Sequence, residues 1–199
     1  MRCATLVLAL VLAAAVTSTA RADGDPASDY LYTQKVFLPF DVKAAKSKQH
    51  DLLATVEGAK QKGYVIRVAI VGSAYDLGAV PSLYKKPATY ARFLGAELAF
   101  VYKQRLLIVM PNGFGFYWRG HDAKRAYSVL KNVKVGAGGD GLVDAARNGV
   151  AALAADAGVK VQEKDPSSTN NRDRVIVVAA AVVLIGAALV GRAALRRRG

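Results

Sequence analysis

Ser73, Tyr75 and Asp76 put a hydroxyl, a phenol and a carboxylate into one short stretch of the chain. They follow Tyr64–Val71 (YVIRVAIV), which is apolar, β-branched and short, and reads as a buried strand. Ligands of open α/β sheets gather outside the carboxyl ends of strands. Asn112 follows a second strand-like run, Arg105–Met110, and comes close if the two strands are parallel neighbours. Ser73, Tyr75, Asp76 and Asn112 are therefore the candidate binding crevice, with Asp76 as the acid of any hydrolytic chemistry. The same residue types also serve ordinary turns, where Asp and Asn bond local backbone.

Other groupings carry less chemistry. His121-Asp122 pairs a base with a carboxylate, but adjacent residues seldom face each other, and Asp122 also suits a helix cap. His50 lies among Lys46, Lys48 and Asp51 on a polar helix face. Glu97 borders an apolar stripe, either as a buried acid with a raised pKa or at a snorkelling edge. Gly136-Ala137-Gly138-Gly139-Asp140-Gly141 spells GxGxxG, whose glycines in dinucleotide sites let pyrophosphate approach a helix N-terminus. Such a site needs a following strand with an acidic residue for the ribose, and only Val159-Lys160-Val161 follows. A connector ending in an Asp140 cap is the simpler reading, and no cofactor is expected. One Cys and two His leave no metal-ligand spacing, so no metal is expected.

The elements that must position these residues alternate. Asp41 can cap a helix with Val42, Ala45, Leu52, Leu53, Val56 and Ala59 on one face, closing at Gly63. The stretch from Gly72 to Pro87 is long enough for a function or a short helix. Pro87 opens a helix with Tyr90, Phe93, Leu94, Leu98 and Val101 inward. Pro111-Asn112-Gly113 turns the chain into a strand on which Phe114, Phe116 and Trp118 alternate. That places Phe116 and Trp118 inward and leaves Tyr117 on show. A helix from Asp122 to Leu130 follows. The last helix starts at Asp140, carries Leu142, Val143, Ala146, Val150 and Leu153 inward, and closes at Gly158. Strands separated by helices imply a layered α/β domain, a small mixed sheet packed by helices, with at least one hairpin.

The two ends read as addresses. Met1-Arg2, an apolar run from Ala4 to Val16 and the small-residue site Ala20-Arg21-Ala22 describe a secretory signal peptide over 1–22, cleaved after Ala22 with Ala20 in the A-x-A pattern. Cys3 leaves with it. Residues 23–161 form the domain and 162–174 a polar linker. Residues 175–195 begin with the uncharged VIVVAAAVVLIGAALVG, a transmembrane helix candidate of the α/β protein. Arg192, Arg196, Arg197 and Arg198 mark its cytoplasmic side, with 196–199 as the tail. The chain is thus expected to be a single-pass protein of the cell membrane, its N-terminal domain extracytoplasmic.

A net charge of +13 first suggests nucleic acid as partner. Mean hydropathy of +0.20 is too apolar for a basic disordered arm. Two of the excess charges lie in the leader and four follow Gly191, leaving +7 on 23–174. That remainder suits contact with an anionic bilayer, and no nucleic-acid partner is expected.

The segments YVIRVAIV, ATYARFLGAEL and RLLIVMPNGFGF, in the order strand, helix, hairpin, resemble the TPM domain family over most of residues 30 to 158. The resemblance implies a layered α/β domain of bacterial envelopes or thylakoid lumens, signal-led and membrane-tethered. It implies assembly, maintenance or repair of membrane complexes, with phosphatase activity proposed for some members. This chain has Pro111-Asn112-Gly113 where many members carry an acidic-basic turn. The leading expectation is a tethered module that binds envelope or membrane proteins. A weak phosphatase or other hydrolase, and a receptor for small ligands or anionic lipids, are the alternatives.

Overall fold

The computed structural model describes residues 24–161; the expected signal peptide, linker, membrane span and arginine tail lie outside them. Among the described residues no helix is long and apolar enough to cross a membrane.

The chain runs α1 (Pro26–Leu31), β1 (Val36–Phe37), α2 (Lys46–Gln61), β2 (Ile66–Ile70), then α3 (Pro87–Glu97), β3 (Arg105–Met110), β4 (Gly113–Tyr117), α4 (Lys124–Leu130) and α5 (Gly138–Asp156). The sheet order is β1-β2-β3-β4. The first three strands are parallel, with Val36 opposite Val68 and Val68 opposite Leu107, and β4 returns antiparallel. The expected mixed sheet packed by helices is present.

Strand alternation feeds two cores. Val68, Ile70, Leu107, Val109 and Phe116 face α2 and α5, while Ala69, Leu106, Ile108 and Met110 face α1 and α3. The β1–β2 and β2–β3 crossovers step the same way across the sheet, yet their helices cover opposite faces. They are therefore of opposite hand, so one departs from the right-handed rule.

Several elements differ from the sequence reading for local reasons. The second helix starts at Lys46 rather than after Asp41, which is exposed in the preceding turn. Its first backbone N–H group, that of Ala45, is held by Asp140 Oδ1 at 2.7 Å. Asp140 therefore ties two helices together instead of capping its own, which begins at Gly138. Leu53 and Val101 are exposed, because α2 buries only Leu52, Thr55, Val56 and Ala59, and α3 ends in a 3-10 turn at Leu98–Phe100. Tyr117 is half-buried against Gly95 of α3, where a Cβ would strike its ring. Gly115 likewise has no room for a Cβ beside the Pro87 carbonyl. These two close approaches clamp α3 onto β4.

Candidate functional site

Three places concentrate polar or open features. The first lies at the carboxyl ends of β1 and β2. The chain leaving β2 makes a 3-10 turn, Ala74–Leu77, closed by a reciprocal capping box between Ser73 and Asp76. Asp76 Oδ2 accepts hydrogen bonds from the Gly72 and Ser73 N–H groups, each 2.8 Å. Asp76 is almost wholly buried, and one of its oxygens is committed to the loop itself. Tyr84 donates from its hydroxyl to the Gly72 carbonyl at 2.9 Å, pinning the same turn from the other side. Ser73 and Asp76 line a crevice of about 300 Å³ with Lys43 and the start of α5.

The four candidate residues do not share that crevice. Tyr75 points away and is 92% exposed. Asn112 lies in the hairpin turn and donates from Nδ2 to the Lys85 carbonyl at 2.7 Å. Strands β2 and β3 are parallel neighbours, but Asn112 is held by Lys85 of the long β2–α3 connection and does not line the Ser73–Asp76 crevice. Two glycines of the GxGxxG motif, Gly136 and Gly141, pack against each other, while Gly138 takes a positive φ with open space around it and Gly139 stands at a variable position of the motif. Gly139 abuts the Lys43 carbonyl, and Gly141 abuts the Gly136 backbone, so a Cβ at either would collide.

The second place is the outer edge of β4. The pair Met110–Gly113 closes the two-residue turn, so Phe114 and Phe116 direct their backbone groups away from β3. At Phe116 those groups are satisfied: Tyr127 Oη accepts from the Phe116 N–H at 3.0 Å and donates to its carbonyl at 3.3 Å. Tyr127 thereby stands in for a neighbouring strand. One step along the edge, the Phe114 N–H and carbonyl have no hydrogen-bond partner among the described residues. They border a crevice of about 420 Å³ walled by Phe114, Tyr127, Leu130, Val133 and Val135, with Lys131 and Asn112 at its rim. An open sheet edge beside an apolar trough can accept an extended peptide, backbone to backbone. The hairpin turn was legible in sequence, but the Tyr127 cap that defines the edge depends on α4 folding back over β4.

The third place is the amino end of the parallel strands. The Arg105 guanidinium lies between two rings, 4.3 Å from the Tyr64 centroid and 3.9 Å from that of Trp118. His121 stacks on the outer side of Trp118 at 3.4 Å, rings within 17° of parallel. Arg125 forms a two-pronged pair with Asp156 across the same hollow of about 290 Å³. His121 is thus turned to Trp118 rather than to Asp122, whose Oδ1 accepts from the Lys124 N–H at 2.7 Å. Burial pushes the Tyr64 phenol up to about 12, so it stays protonated beside the arginine. On the opposite face Arg67 lies over the Tyr102 ring at 4.1 Å. Burial lowers its pKa, and its Nη1 is buried without a partner among the described residues.

Among the described residues no group of three His, Cys, Asp or Glu side chains could hold a metal ion. Glu97 is exposed, the edge position of the two open to it. A different acid is buried: Asp25, the N-cap of α1. Comparison with family models, with curated proteins and with solved structures finds no match for this chain.

Proposed function

We propose that this protein is a membrane-tethered, extracytoplasmic binding module, TPM-like in organisation, that holds an extended segment of an envelope or membrane protein and so assists assembly or maintenance of its complex. The observation that carries this reading is the open Phe114 edge of β4 beside the crevice of about 420 Å³. Strand addition there takes affinity from main-chain hydrogen bonds and selectivity from the apolar wall. Lys131 at the rim favours a segment bearing a carboxylate. The tether is read from the uncharged 175–191 stretch and its arginine flank.

The hydrolase alternative finds less support. Asp76 accepts two amide hydrogen bonds through one oxygen, and Ser73 is engaged in the same capping box. A carboxylate fixed in this way braces a loop more readily than it attacks a phosphoester.

The test is photo-crosslinking in intact envelopes from a benzoylphenylalanine placed at Val135. A discrete crosslinked partner is expected, lost when Val133→Asp charges the crevice wall and retained when the distant Tyr75→Ser is made. No crosslink, or one indifferent to Val133→Asp, overturns the reading.

A further inference from the structure

Three aromatic side chains stand almost bare: Phe40, which carries the Lys43 ammonium over its ring, and Tyr75 and Phe100, which lie at opposite ends of the domain. Tyr75 is at the carboxyl end of the strands, and Phe100, 97% exposed, is at the amino end. Phe100 closes the 3-10 turn after α3, and Val101 beside it is also exposed. Arg119 reaches the same turn, donating from Nη1 to the Ala99 carbonyl at 3.4 Å. Lys103 is exposed two residues beyond Val101.

The chain also leaves the described domain at this end. The last residues of 24–161 lie against the end of α2: Lys62 Nζ donates to the Lys160 carbonyl at 2.6 Å, and the Val161 side chain packs beside Gly58. Beyond Val161 come thirteen linker residues, 162–174, and then the uncharged stretch.

The cations here are unopposed. Lys62, Lys103, Arg119 and Lys160 form no ion pair among the described residues, whereas the nearby carboxylates Glu57, Asp122 and Asp156 are each paired with Lys35, Lys124 and Arg125. Glu97, one turn before Phe100, is the remaining exposed acid of α3. Bare aromatic and aliphatic side chains at the same end as unpaired lysine and arginine suit the headgroup region of an anionic bilayer, where rings settle at the interface and cations meet lipid phosphates.

We propose that the domain does not hang freely from its tether but rests on the anionic bilayer through this end, with Phe100 and Val101 entering the headgroup layer and Lys103, Arg119, Lys62 and Lys160 on the lipid phosphates. This rests on the tether reading above. It orients the molecule: the Tyr75 end faces away from the membrane, and the β4 edge stands upright at its side, open to a partner in the same membrane.

The experiment uses the full-length chain carrying Cys3→Ser, with a nitroxide on Val101→Cys or on Tyr75→Cys, in phosphatidylcholine vesicles with or without phosphatidylglycerol. Collision with oxygen and with a water-soluble nickel chelate reads depth at each label. The label at 101 is expected to be lipid-exposed and chelate-protected in anionic vesicles and to become more aqueous in neutral ones. The label at 75 stays aqueous in both. Reversing Lys103 and Arg119 to Glu weakens contact by about fivefold or more for each charge and returns the 101 label to water. Phe100→Ser acts in the same direction, and circular dichroism checks that each variant is folded. A 101 label as aqueous as the 75 label, in a chain that resists alkaline extraction from anionic vesicles, overturns the docked orientation alone. A chain released by alkaline extraction overturns the tether, and the docking with it.

Discussion

Tyr90 donates its phenolic proton across the Asp25 carboxylate, 2.8 Å from each oxygen, in a pocket where Asp25 is only 5% exposed. Asp25 Oδ1 also accepts from the Ala27 N–H, capping α1. The pair joins the first helix of the domain to the first turn of α3, across sixty-five residues of sequence. Desolvation outweighs both hydrogen bonds and pushes the Asp25 pKa up to about 6, while burial and the adjacent carboxylate push the Tyr90 phenol far upward.

That shift gives a pH dependence with a definite sign. The folded state holds the Asp25 proton to about pH 6, whereas the unfolded chain releases it near 3.8. Between those values the native state binds more protons, so this group's contribution to stability falls as pH rises through the window. The full loss is about 3 kcal/mol above pH 6. Asn keeps an acceptor for Ala27 and Tyr90, so Asp25→Asn should be no less stable than wild type at pH 7 and should flatten this part of the profile. Urea unfolding at intervals from pH 4 to pH 7 measures it; a wild-type slope unchanged in the variant would remove Asp25 as its source.

Asp76 makes a different prediction. Its carboxylate replaces water for two backbone amides at the end of β2. Asp76→Ala leaves both N–H groups without that acceptor and should cost about 2–3 kcal/mol, with faster hydrogen exchange over Gly72–Gly78. Asp76→Asn retains an acceptor and should lose less. Exchange mass spectrometry distinguishes this bracing role from a catalytic one, in which the loop would stay protected in both variants.

Gly115 and Gly95 should respond unequally to alanine. At Gly115 the added methyl meets the Pro87 carbonyl, which is backbone and cannot turn aside. At Gly95 it meets the ring of Tyr117, a half-buried side chain. Gly95→Ala should therefore cost about 1–3 kcal/mol and Gly115→Ala more than that, through displacement of α3 from the hairpin. Thermal melts of the two variants rank them; Gly95→Ala as the worse would contradict the clamp.

Arg105 between Tyr64 and Trp118 offers a spectroscopic test, because Trp118 is the single tryptophan of the chain. Lysine keeps the charge but lacks the flat guanidinium that lies against both rings. Arg105→Lys should lose about 1 kcal/mol of stability and shift Trp118 emission to longer wavelength as water enters the hollow. Unchanged emission would mean that the arginine does not shield the ring.

Much of the layer structure was legible because it is written in local pattern. The apolar runs of β2 and β3, and the spaced residues Leu142, Val143, Ala146, Val150 and Leu153 of α5, are all buried as their periodicity requires. Gly63 and Gly158 close their helices with positive φ, as the C-terminal glycine rule predicts. Asp25-Pro26 was a readable helix start, an N-cap followed by proline, yet α1 is so short that its apolar pattern could not announce it. The two-residue β1 left no period to detect.

The sites divided along the same line. The amino-acid sequence by itself determined which stretches are strands and helices, where glycine must turn the chain, and where the charge excess falls. Those are consequences of neighbours within a few residues. Only the tertiary structure decided that Asp76 bonds its own loop, that Asn112 turns to Lys85, that Tyr127 caps one step of the β4 edge while Phe114 is left open, and that Phe100 and Val161 share one end. The Asp76 bonds are local, within one turn; the others join residues on different elements, and their meeting depends on strand order and on which face each crossover takes. Local propensity carries no information about either choice; burial of both sheet faces settles them together.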